Sequence, residues 1–312
     1  MPAMLPTFRA WLELSRLSNL PTVITNVLVG LTLGRRIVID YAPGEAPSSP
    51  VVTFAFVLLS MMLLYIGGMA LNDVVDAAED RENRPERVIP SGRISRRGAL
   101  AFSVSCMLIA LGLMATRGMP AFIFTAALVV AIVLYDLTHK RRAGSVVLMG
   151  LCRSLVYITA ACAAHWTPEL ETRSPDWTVV APPASAIFLY IVLLTIIARM
   201  EAMPRPGPRA WLALILPLPA FAVIAAIPPA SDRMILPIVC GVTLFIWLTH
   251  SSMNVLREQG PRGTIAAVHG WLAGICLIDA WFLALLDEPW LVVACLVCFI
   301  ITVLGHRRIM GA

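Results

Sequence analysis

Asp73, Asp76 and Asp80 stand at i, i+3 and i+7 in the run Asn72-Asp-Val-Val-Asp-Ala-Ala-Glu-Asp80. On a helix that spacing puts three carboxylates on one face, about 10 Å from first to last. Ionised carboxylates placed so closely repel one another unless something cationic lies among them. A hard divalent cation carrying a phosphorylated ligand is the natural neutraliser, because Mg²⁺ prefers oxygen ligands and keeps coordination sites open for substrate phosphates. The competing reading is a solvated helix end in which Asp76 pairs with Arg81 and Asp80 with Arg84. The run follows directly on an apolar stretch, Val51 to Leu71. Carboxylates at the end of such a stretch usually mark an ion or substrate path.

The elements that must hold these groups are membrane spans. Hydrophobic residues make up 59% of the 312-residue chain and charged residues 14%, with a mean hydropathy of +0.82. A soluble protein carries roughly 25% charged residues, so composition excludes the soluble globular class. The net charge of +5 does not signal a nucleic-acid partner, since basic cytoplasmic loops produce it equally well. Cys295 and Cys298 form the one CxxC pair. They lie mid-span without flanking His or acidic residues, so the cysteines read as small buried hydrophobes. The first sixteen residues include Arg9, Glu13 and Arg16 and no apolar core, and read as no signal peptide.

Ten apolar segments can be drawn, at about 18–34, 51–71, 99–116, 119–136, 145–164, 182–198, 210–227, 234–250, 265–286 and 290–305, each near the ~20 residues that cross the hydrocarbon. Arginines gather in alternate loops, notably between Arg81 and Arg97, while Glu169, Glu171, Asp176, Asp287 and Glu288 fall in the others. The positive-inside rule then puts both termini in the cytoplasm. Asp287-Glu288-Pro289 separates the last two segments, because that hinge would be expensive in lipid. No linker or low-complexity tract interrupts the chain. The expectation is a single all-α domain, 1–312: a polytopic helical bundle of nine or ten spans, multi-pass in a bacterial inner (plasma) membrane.

The stretch from Asn72 to Ser95 resembles the UbiA superfamily of intramembrane prenyltransferases. The likeness rests on the Asn-Asp-x-x-Asp-x-x-x-Asp run and on Arg84-Pro-Glu-Arg87-Val-Ile-Pro-Ser-Gly-Arg-Ile-Ser95 that follows it. Arg16-Leu-Ser-Asn-Leu-Pro-Thr and Asn26 are similar to the family's first span, and Tyr135 with Lys140 to its Tyr…Lys segment, with Arg153 where a family arginine follows. The resemblance implies a bundle around a central cavity open to the cytoplasm. It implies Mg²⁺-dependent transfer of a prenyl group from an allylic diphosphate to a lipophilic acceptor. Asp73, Asp76 and Asp80 would hold the metal, Asn72 would orient the first carboxylate, and Arg87, Lys140 and Arg153 would contact the diphosphate, with Tyr135 and Asn26 also on the substrate side. Such chemistry suits a membrane bundle. Ionising an allylic C–O bond leaves a growing negative charge for metal and fixed cations to stabilise, and an apolar chamber keeps water from the carbocation.

One departure stands out. Where the family has a second aspartate-rich motif, this chain reads Thr195-Ile-Ile-Ala-Arg199-Met-Glu201-Ala-Met-Pro204. Arg199 could take over part of a second metal's role by clamping phosphate oxygens bidentately, with Glu201 as the remaining carboxylate ligand. The Ala-Arg-x-Glu pattern is similar to that of the EboC-like branch of the family. The alternative is a non-catalytic binder or transporter of a polyprenyl-type lipid; a third reading is an ion-coupled transporter using Asp73 and Asp279. Asp279 is an acidic residue inside the ninth apolar segment, either functional or hydrogen-bonded to another helix. His250, Asn254 and His269 could line the acceptor side.

Overall fold

The computed structural model describes residues 6–41, 50–140, 142–165, 176–199, 212–227, 229, 233–257 and 261–309. Apart from turns, the regular structure among them is helical. In chain order the helices are α1 (Pro6–Leu14), α2 (Leu20–Tyr41), α3 (Pro50–Asn83), α4 (Arg96–Ala115), α5 (Met119–Thr138), α6 (Ser145–His165), α7 (Trp177–Ala198), α8 (Leu212–Ile215), α9 (Leu218–Ala222), α10 (Ile235–Arg257), α11 (Pro261–Leu285) and α12 (Pro289–Ile309). Nine of the described helices are long and apolar enough to span a bilayer, namely α2 to α7 and α10 to α12. The chain is an integral, multi-pass membrane protein.

The segment drawn at 210–227 is not a continuous helix. Pro217 and Pro219 break it into the short α8 and α9 and a final tight turn at Val223–Ala225, because proline removes a helical N–H and clashes with the preceding turn. It still runs antiparallel to α10. Ser252 Oγ donates to the Ala213 carbonyl at 2.8 Å, while further on Phe221 meets Phe245 with ring centroids 6.4 Å apart. Among the described residues nine long helices meet the expectation of nine or ten spans, and the seventh drawn segment consists of short helices. The hinge between α11 and α12 lies where the acidic pair placed it. Glu288 N–H bonds the Leu283 carbonyl and Asp287 N–H that of Ala284. That pattern closes a helix through one left-handed residue, here Asp287 at φ 57°.

α2 and α6 form the seam of the bundle. Gly30 and Gly34, one turn apart on α2, face Tyr157, Ala160, Ala161 and Ala164 of α6. The backbones approach so closely that a methyl at Gly30 would sit 2.6 Å from the Tyr157 carbonyl; small residues permit this contact between membrane helices. One apolar cluster fills the side of the seam toward α3, α4 and α5, another the side toward α7 to α12.

α3 positions the aspartates. Its 34 residues make a rod of about 51 Å against a hydrocarbon thickness of ~30 Å. Residues 72–83 are therefore a rigid extension of the span, and the run stays helical throughout.

Deep in the seam lies a polar chain. Arg153 Nη1 of α6 donates to Asn26 Oδ1 of α2 at 3.0 Å. Asn26 Nδ2 donates to Asp279 Oδ2 of α11 at 2.8 Å. The Tyr157 hydroxyl donates to the other Asp279 oxygen. Asn26 and Asp279 are completely buried. Asp279 thus joins helices, and Arg153 and Asn26 are hydrogen-bonded into this chain. Removing one partner of a buried charged network costs about 3–5 kcal/mol; removing one neutral hydrogen bond costs ~1 kcal/mol. Thermal unfolding in detergent should therefore show Asp279→Ala well below Tyr157→Phe, and equal small losses would deny the network its structural role.

Candidate active site

The three aspartates lie on one face of α3, each nearly buried at 8%, 8% and 5% exposure for Asp73, Asp76 and Asp80. Each is matched by a cation from elsewhere in the chain. Arg16, in the turn before α2, reaches Asp73 Oδ1 at 2.8 Å. Arg87, in the loop after α3, reaches Asp80 Oδ2 at 2.8 Å, and the same nitrogen lies 3.8 Å from Asp73 Oδ1. Lys140, just past α5, bridges Asp76 at 2.8 Å and Glu79 at 2.9 Å. His139 Nε2 stands 3.7 Å from the other Asp76 oxygen. The pairs Asp76–Arg81 and Asp80–Arg84 do not form; Arg81 and Arg84 are exposed. The carboxylates are knitted into the bundle instead.

Local sequence explains how the cations arrive. Arg16 has a left-handed backbone, φ 43°, which turns the chain between α1 and α2, and its carbonyl is held by the Tyr65 hydroxyl of α3 at 3.0 Å. The loop carrying Arg87 folds back on α3, with Val88, Ile89 and Ile94 buried against Ala70, Val74 and Ala77 and against Ala10 and Leu14 of α1. Gly92 takes φ 76° to make the reversal, Ser95 caps α4 by accepting from Gly98 N–H at 3.0 Å, and Arg96 Nε ties to the Val74 carbonyl at 3.1 Å. Pro-Ser-Gly punctuation thus corresponds to a packed loop with a fixed path. Arg93 pins it to α1 through Glu13 at 2.5 Å.

Lys140 is held as an ammonium. Partial desolvation lowers its pKa, but hydrogen bonds to Asp76 and Glu79 and their charges outweigh that, so the value lies above that of an ordinary lysine. Tyr135, one turn earlier, stacks on His139 at 5.3 Å between centroids.

Arg199 and Asn72 are placed otherwise than expected. The Arg199 guanidinium donates to the carbonyls of Ala143 at 3.0 Å and His139 at 3.1 Å and to Ser145 Oγ at 2.6 Å. It braces the α5–α6 connection next to Lys140. Glu201 lies outside the described residues. Asn72 does not touch Asp73; its Nδ2 donates to Asp136 Oδ1 of α5 at 3.1 Å. His269 packs against His306 with centroids 4.6 Å apart, on the α11–α12 side. His250 is exposed on α10.

Arg16, Asp136 and His139 are the site residues that sequence reasoning passed over. The visible signal for Asp136 was an acid at the last turn of an apolar span, between Tyr135 and Lys140.

The donor set suits Mg²⁺: hard carboxylate oxygens on a rigid face, with no thiolate among them. Among the described residues no three His, Cys, Asp or Glu side chains form a ready-made metal cage. That also fits Mg²⁺, which is commonly bound by one or two carboxylates plus substrate phosphates and water.

Comparison with known proteins shows the family and the fold. Digeranylgeranylglyceryl phosphate synthase of Methanopyrus kandleri is 29% identical over 246 residues, 69% of this chain and 86% of that protein. The synthase of the same name from Halobacterium salinarum is 37% identical over 105 residues, 34% of this chain and 38% of that protein. Among solved structures, one of a digeranylgeranylglyceryl phosphate synthase superposes with a TM-score of 0.60 at 16% identity, over 92% of this chain and 100% of that one. A UbiA homolog from Archaeoglobus fulgidus bound to GPP and Mg²⁺ superposes with a TM-score of 0.59 at 14% identity, over 89% and 99%. At those identities the structures show the shared fold. Residues 36–311 match the UbiA prenyltransferase family, to which this chain belongs.

Proposed function

We propose that this UbiA-family prenyltransferase binds a prenyl diphosphate where α3 and α5 end and passes its prenyl group to a lipophilic acceptor, in a Mg²⁺-dependent reaction on the cytoplasmic side of a plasma membrane. The observation that carries the site assignment is the pairing of each α3 aspartate with a cation from a different segment: Arg16, Arg87 and Lys140. These ion pairs hold together the two kinds of group that a metal diphosphate needs. Asp73, Asp76 and Asp80 would hold the metal. Arg16, Arg87 and Lys140 would contact the phosphate oxygens through charge-assisted bonds. Mg²⁺, once bound, supplies Lewis-acid stabilisation of the departing diphosphate.

The chain's own groups do the rest. Arg87, Lys140 and Arg16 stabilise the negative charge that grows as the allylic C–O bond breaks. Tyr135, stacked on His139, forms a wall beside them. The acceptor's nucleophile then bonds the allylic carbon and gives up its proton to the released diphosphate. The names of the relatives support an acceptor built on glyceryl phosphate that already carries a prenyl chain. Arg199 acts at one remove, holding the His139–Ser145 connection so that Lys140 stays over Asp76. Glu201, two residues on, would contribute a carboxylate from that second element.

Diphosphate release from geranylgeranyl or shorter allylic diphosphates, measured in membranes with Mg²⁺, should fall at least about 100-fold in Asp76→Ala, the scale of losing one transition-state contact. Full activity in that variant, or Mg²⁺-dependent binding without turnover by the wild type, would defeat the enzyme reading. Arg199→Ala should lower kcat/KM by roughly 10-fold or more, with little recovery in Arg199→Lys, because an ammonium cannot reproduce a fork shared among three acceptors. If Glu201→Ala costs activity and Arg199→Ala does not, the brace is dispensable.

A further inference from the structure

We infer that Asp136 is an additional carboxylate of the metal–diphosphate site, contributed by α5, which presents its free oxygen to a divalent cation held by the α3 aspartates or to one of that cation's waters. The inference rests on the proposed Mg²⁺-dependent reaction and adds a residue that the aspartate run on α3 does not include.

Asp136 is 3% exposed. Its Oδ1 accepts from Asn72, the residue preceding Asp73, at 3.1 Å. Its Oδ2 is buried and has no hydrogen-bond partner. Buried polar atoms are nearly always satisfied, and each exception calls for a ligand, a water or a special role. A carboxylate oxygen without donors at a bundle mouth is costly. The charges that act on this carboxyl are Asp76, Asp73 and Arg16, all members of the site already described.

Charge balance points to what the oxygen awaits. The cluster contains the carboxylates of Asp73, Asp76, Glu79, Asp80 and Asp136, while the fixed cations bonded to it are Arg16, Arg87 and Lys140. Five carboxylates thus share three bonded cations, and added positive charge is favoured there. The described cations nearest the α3 carboxylates are bonded to groups other than Oδ2. Arg16 is bonded to Asp73 and Lys140 is shared by Asp76 and Glu79. The residue also answers the departure in the second motif, where Arg199 has become a brace for a loop. α5 supplies from the facing wall a carboxylate that a second aspartate-rich motif would otherwise bring.

Asp136→Asn isolates the claim, because the amide oxygen can still accept from Asn72 and the side chain keeps its shape. Binding of Mn²⁺ as a Mg²⁺ surrogate, followed by electron paramagnetic resonance on purified protein in nanodiscs with a non-hydrolysable prenyl diphosphate analogue, should weaken by about 10-fold or more, the scale seen when a supporting metal-site residue is lost. The Mg²⁺ concentration giving half-maximal diphosphate release should rise in parallel, and Asp136→Glu should recover part of the affinity. Unchanged Mn²⁺ affinity in Asp136→Asn overturns the proposal, even if turnover drops. If Asp136→Asn does not fold, Asp136→Glu decides: unchanged Mn²⁺ affinity and an unchanged metal spectrum despite a carboxylate displaced by a methylene also overturn it. A wild type that binds Mn²⁺ but releases no diphosphate sinks the prenyltransfer reading instead, so the two failures are told apart.

Discussion

Carboxylates buried at the end of a membrane helix must find countercharge, and this constraint organises one whole end of the molecule. α3 supplies the anionic face because it outruns the bilayer as an unbroken rod. No single neighbour supplies the cations. Arg16 comes from a left-handed turn before α2, Arg87 from a loop folded back on α3, and Lys140 from the connection leaving α5. Every accessory feature nearby serves that convergence: buried Val88 and Ile89 anchor the loop, Glu13 pins Arg93, and Arg199 closes the α5–α6 connection. Ion pairs so arranged are poised to exchange partners. A salt that carries both signs, such as a metal diphosphate, can replace them without leaving a charge stranded in low dielectric.

The aspartate face was legible because helical periodicity converts i, i+3, i+7 into adjacency without any tertiary information. The spans were legible because lipid allows little besides long apolar helices. The crossing at 212–225 broke the pattern for a local reason: Pro217 and Pro219 were visible, but apolar content outweighed them. Partners were harder. Arg81 and Arg84 are nearer in sequence to the aspartates than Lys140, yet Lys140 wins because α5 packs beside α3 and its end is carried to the right height. Asn72 looked like a helper of its neighbour Asp73 and serves Asp136 on another helix. Arg153 looked like a phosphate contact from its place two turns into α6, and the seam turns it toward Asn26. In each case the residue type was informative and the direction of the side chain was set by helix packing that spacing does not encode.

The two polar regions divide the labour. At the mouth, each buried carboxylate of α3 is paired with a cation from another segment. In the seam, Asn26, Asp279 and Tyr157 are sealed from solvent and fully committed to one another. Fixing α2, α6 and α11 in this way keeps the bundle in register beneath the charged mouth. The glycine pair on α2 makes the close approach possible, since the hydrogen bonds of the seam need backbones nearly in contact.

That seam also bears on how the chain is built. A ribosome delivers α6, with its arginine two turns deep, well before it delivers α11 with Asp279. Until then Asn26 alone must shelter the guanidinium, and any chain that stalls after α10 presents a misfit helix to the insertion machinery. The final third of the polypeptide thus completes a polar network that the first half can only begin.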